Sequence, residues 1–80
     1  MEYDKDKVDE FTLALLYLVT HDHQEGYGAR AWKGIDWETL NRLHDKGLIS
    51  NPVGKTKSVA MTEEAFKRAK ELFRKHFVNK

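Results

Sequence analysis

The 80-residue chain carries 14 Lys and Arg against 13 Asp and Glu, a net charge of +1, with 40% hydrophobic residues and no cysteine. That length allows one small domain with a single core, and the missing cysteines exclude a disulfide framework and a thiolate zinc site. The near-neutral total conceals an asymmetry: residues 1–25 sum to −5, residues 26–58 to +3 and residues 59–80 to +3. An acidic first third and a basic remainder point to an anionic partner for the latter, although the chain lacks the strongly basic balance of dedicated nucleic-acid binders.

The opening "MEYDKDKVDEF" is acidic where a signal peptide is basic, and the longest apolar stretch, Leu13 to Val19, is too short to span a bilayer. A cytoplasmic protein with no membrane partner is expected. Residues 1–5 are expected to be disordered. A first helix is predicted over 6–20, because Val8, Phe11, Leu15, Leu18 and Val19 recur at helical spacing and form its inward stripe. Leu13, Leu16 and Tyr17 fall on a second apolar side. They are either the other face of a central helix covered twice or a dimer contact.

The stretch "HDHQEGYGARAWKGID" holds three glycines and no sustained period, leaving one short helical turn over 29–33. Asp36 caps a helix predicted over 36–46, with Trp37, Leu40, Leu43 and His44 inward and Gly47 as its stop. "LIS" and "SVAM", joined by "NPVGKTK", read as a hairpin over 48–61. Thr62, Glu63 and Glu64 open a last helix over 62–77, striped by Ala65, Phe66, Ala69, Leu72, Phe73, His76 and Phe77.

From "LNRLHDKGLIS" through "MTEEAFKRAKELF" this order resembles the winged helix-turn-helix plan of bacterial regulators of the multiple-antibiotic-resistance and phenolic-acid-decarboxylase repressor types. Leu40, Leu43, Gly47, Leu48 and Ile49 match the segment that closes the recognition helix and starts the wing. Met61, Thr62 and Glu63 match the start of the following helix, with Ala65 where glycine is usual. The whole chain also looks like a family of short uncharacterised bacterial proteins. The resemblance implies a small α+β winged-helix-like single domain over 1–80, with three to four helices and a two-stranded wing. It departs from the plan before Asp36, where "GYGARAWKG" offers at most a truncated helix.

Helix 36–46 turns Glu38, Thr39, Arg42, Asp45 and Lys46 outward, a nearly neutral face with acids where base edges are usually met. Lys55 and Lys57 flank Thr56 on the wing, as phosphate contacts or as solvated edge lysines. Arg30 and Lys33, interleaved with Tyr27, Trp32 and Trp37, form a basic aromatic surface for single strands or phosphates unless the aromatics plug the core. On the last helix Glu63, Glu64 and Glu71 each stand four residues before Lys67, Arg68 and Lys75, which reads as a solvated face.

His21, Asp22, His23 and Glu25 are the one cluster of ligand types, and His-x-His holds a metal poorly by itself. No metal, cofactor or catalytic set is expected. Two functions remain in view. A DNA-binding regulator contacts duplex DNA through Arg30, Lys33, Thr39, Arg42, Lys46, Lys55, Thr56 and Lys57. A protein-interaction or homodimerisation module instead uses Leu13, Leu16 and Tyr17.

Overall fold

A computed structural model describes residues 1–79. In chain order it runs α1 (Lys5–Leu18), β1 (Thr20–Gln24), β2 (Gly28–Trp32), α2 (Trp37–Asp45), β3 (Ser58–Met61) and α3 (Glu63–Phe77). This is a mixed α+β fold, with three helices and a three-stranded antiparallel sheet of order β1-β2-β3.

Each helix begins at a side-chain cap. Asp4 accepts from the Lys7 amide, Asp36 from that of Thr39, and Thr62 from that of Ala65, satisfying amides the first turn leaves free. Asp4 and Lys5 therefore belong to the start of α1, although the sequence reading placed them in a disordered tail. Gly47, at φ +76°, ends α2 in the left-handed conformation that favours glycine.

The sheet departs most from expectation. Residues 29–33 do not form a helical turn: Gly28–Trp32 is the central strand, with Ala29 and Ala31 turned inward and Arg30 and Trp32 outward. The two-stranded wing is likewise replaced. β3 pairs with β2 through Ala29↔Met61, Arg30↔Ala60, Ala31↔Val59 and Trp32↔Ser58, while "LIS" contributes the single bridge Ile49↔Met61. Pro52, without an amide donor, follows at once and the segment leaves the sheet. Gly28 lies so close to β3 that a Cβ there would collide with the Met61 carbonyl oxygen.

The core gathers Leu13, Ala14 and Leu16 of α1, Leu40 and Leu43 of α2, Ala31, Val59 and Met61 of the sheet, and Ala65, Phe66, Ala69 and Leu72 of α3. α1 is thus covered on two sides, by α2 and by α3, as a central helix must be. Its expected inward stripe is rotated: Leu15 and Leu18 are exposed, and Val8 and Phe11 are half-buried. Trp37 and His44 of α2 also lie outward, leaving Leu40 and Leu43 to anchor that helix.

Candidate functional site

The rotation of α1 leaves an apolar band on its outer side. Tyr3, Lys7, Val8, Phe11 and Leu15 line one shallow hollow, and Leu15, Leu18, Trp32 and Ile35 line the next. Both walls are almost wholly apolar, and Leu15, 39% exposed, is common to the two. The band therefore runs the length of the 14-residue helix, about 21 Å, and continues onto β2 at Trp32. The three dimer candidates lie elsewhere. Leu13 and Leu16 are in the core, 1% and 0% exposed, and Tyr17 packs against Phe66 and Phe73 with ring centroids 5.5 and 5.4 Å away.

The outward cations of α2 are claimed from within the molecule. Asp9 of α1, with its side chain 3% exposed, accepts from Arg42 Nε at 2.8 Å and from Lys46 Nζ at 2.8 Å; Lys46 also reaches Asp6 at 3.2 Å. Partial burial works against the charge on Arg42, but Asp9 outweighs it and holds the guanidinium above its ordinary pKa. Hydrogen bonds that Lys46 donates to Asp9 and Asp6 raise its pKa in the same way. Thr39 is buried, its hydroxyl donating to Asp36 and accepting from Arg42 Nη2. The β1–β2 hairpin, and not a helix, immediately precedes α2.

The other nucleic-acid candidates gather around β2 and the loop before β3. Lys33 Nζ donates to the carbonyls of Pro52 at 2.7 Å and Gly54 at 3.2 Å, and its amide to that of Lys57, so it fastens this loop to the end of β2. Lys55, Thr56 and Lys57 are exposed on the loop, and Arg30 is exposed on the strand. Among the described residues none of these three cations has a carboxylate within salt-bridge distance. The aromatics do not plug the core: Tyr27 is 86% exposed, Trp37 66% and Trp32 49%.

The histidines separate rather than cluster. His21 stacks on Trp32, centroids 4.0 Å apart, and its Nε2 meets Ser58 Oγ at 2.8 Å. His23 stacks on Phe66 at 3.9 Å with Nε2 2.9 Å from Glu63 Oε1. The hydrogen bond from His23 holds the Glu63 carboxyl below its ordinary pKa despite partial burial. Glu63 is thereby turned toward His23, and not toward Lys67 as the four-residue spacing suggested. Sequence reading passed over Asp9, Leu15 and Leu18 as functional residues. The exposure of the two leucines had no signal, since Val8, Phe11, Leu15 and Leu18 form as regular an apolar stripe as a buried face would.

The family profile described as a domain of unknown function (DUF6429) matches residues 4–79. The chain belongs to the DUF6429 family. It is 49% identical over 77 residues to the uncharacterized protein y4hR of Sinorhizobium fredii (strain NBRC 101917 / NGR234), covering 96% of this chain and 97% of that one. No solved structure matches it. Among the described residues of this DUF6429 member, no helix is long and apolar enough to cross a membrane.

Proposed function

We propose that this DUF6429 protein is a non-catalytic interaction module that pairs with a second copy of itself through the outer face of α1. The observation that carries the reading is Leu15, the exposed residue common to two apolar hollows along one helix. Monomeric proteins rarely leave so continuous an apolar band in water. Val8, Phe11, Leu15 and Leu18 repeat at three- and four-residue intervals, the spacing with which one helix surface meets another. A twofold axis through the middle of such a band makes it complementary to itself, the commonest geometry of homo-oligomers. An 80-residue domain also gains from the added burial.

A duplex-DNA-binding regulator is the less favoured reading. Arg42 and Lys46 would have to leave Asp9 before meeting phosphate, and Lys33 would have to release two carbonyls. Only Arg30, Lys55 and Lys57 stand ready.

The test is sedimentation equilibrium over a wide concentration range. The wild type is expected to dimerise as concentration rises, and Leu15→Glu, at an already exposed position, to remain folded and monomeric. A wild type that stays monomeric at the highest concentration, or a Leu15→Glu protein that still dimerises, would overturn the proposal.

A further inference from the structure

The outer face of the sheet is a second surface, which meets the band on α1 at Trp32. β2 sends Ala29 and Ala31 to the core, so alternation puts Arg30 and Trp32 on the opposite side. The residues beside Arg30 in the register are Asp22 on β1 and Ala60 on β3; Trp32 faces Ser58. Small neighbours on β3 and Gly28 at the strand's start leave Arg30 uncovered in a shallow hollow that Gln24 and Tyr27 complete. Arg30 and Tyr27 are both exposed.

Trp32 is held in place: His21 lies against the indole at 4.0 Å with 27° between the planes, and Ser58 fixes the imidazole by a 2.8 Å hydrogen bond. A half-exposed indole braced in this way is a preformed stacking platform, with its orientational entropy already lost. Tyr27, at the hairpin turn, offers a second ring beyond the start of β2, and five residues of extended chain set its backbone about 16 Å from that of Trp32, with Arg30 between them in sequence. The segments around this face are cationic. Residues 20–33 and 50–61 contain Arg30, Lys33, Lys55 and Lys57 against Asp22 and Glu25, a net +2, while the whole chain is +1 and the remainder is −1.

We infer that this sheet face binds a single-stranded polynucleotide, with bases stacking on Trp32 and Tyr27 and phosphates engaging Arg30, Lys55 and Lys57. Rings with a cation between them suit bases whose faces are free, and duplex bases keep theirs inside the stack. The separation of the two rings requires a chain of nucleotides, because a mononucleotide cannot reach both. Sequence preference is weak, since every base has a face to stack.

The experiment is fluorescence anisotropy with labelled oligothymidylate and oligouridylate of about 12 nucleotides, and a random duplex, at low and moderate salt. It is run at protein concentrations low enough to keep the chain monomeric, so that failure of self-association leaves the result readable. Salt-sensitive binding of single strands in preference to duplex is expected. Trp32→Ala should weaken it about tenfold, and Arg30→Ala should weaken it and lower the salt slope by about one. Tyr27→Ala, at a turn residue outside the core, gives a second stacking variant that keeps the fold. Absence of single-strand binding at low salt would overturn the inference. So would duplex binding of equal strength that is indifferent to both aromatic substitutions.

Discussion

Neighbouring leucines on α1 separate the core from the proposed contact, and truncating each in turn measures the division. Leu16 is fully buried, so Leu16→Ala removes its packing and leaves a cavity, at a cost of about 3–4 kcal/mol. For a domain of this size, whose total stability is about 4–12 kcal/mol, that is a large fraction. It corresponds to a fall in melting temperature of about 12–30 °C at the per-kcal sensitivity of small domains. Leu15, 39% exposed, should lose at most about 1 kcal/mol as a monomer, partly offset because alanine favours helix. Urea unfolding by far-UV circular dichroism at low protein concentration isolates the monomer terms, and an unchanged m-value keeps the comparison within two-state behaviour. Repeating it at high concentration should widen the gap between wild type and Leu15→Ala, because dimerisation couples to folding by mass action. Equal losses for the two variants at low concentration would refute the assignment of sides to α1.

Two further outcomes follow from the ion pairs. Asp9→Ala should destabilise by about 2 kcal/mol in urea unfolding, since a buried carboxylate accepting from Arg42 and Lys46 is lost while both cations keep access to water; a loss near zero would mean that Asp9 does not tie α1 to α2. The Glu63 carboxyl is held below its ordinary 4.5 by His23, so the unfolded chain binds the extra proton as acid is added. Its contribution is complete above pH 4.5 and fades as pH falls through the lower folded value. The difference in melting temperature between wild type and Glu63→Gln should therefore be larger at pH 6 than at pH 3, and a gap that grows on acidification would reverse the argument.

The helices were legible because each carries its own caps. Asp36, Gly47 and Thr62 announce their roles locally, and α2 and α3 lie within two residues of expectation. The sheet was not, and the reason lies in "GARAW". Alanine is a poor strand former by composition, and the run becomes a strand only because Ala29 and Ala31 are small enough to lie under β2 against α3 while Val59 and Met61 pair alongside. The turn "QEGYG" and the alternation of small with large side chains were the available signs of a hairpin. "LIS" misled in the opposite direction: it has strand character, yet Pro52 cuts it off after one bridge and β3 finds its partner thirty residues earlier. On α1 both apolar sides looked alike, and the choice between them is made by α2 and α3, which no helical wheel of α1 contains.

The same limit governs charge. On a wheel of α2, Arg42 and Lys46 face outward beside Glu38 and Asp45, and the helix looks like a weak reader of DNA. Asp9, 33 residues before Arg42, changes what those cations can do, because a buried carboxylate holds them more firmly than a solvated phosphate approaching an exposed helix. Of the nucleic-acid candidates, the cations without such partners, Arg30, Lys55 and Lys57, lie on β2 and the loop that Lys33 fastens to it. The sheet that the sequence concealed is thus also where three of the candidate cations and two exposed rings lie near one another. The proposed single-strand contact therefore uses the sheet and not α2. Separating the two is direct: charge reversal at Arg42 should act on stability through Asp9, and charge removal at Arg30 should act on binding with the fold untouched.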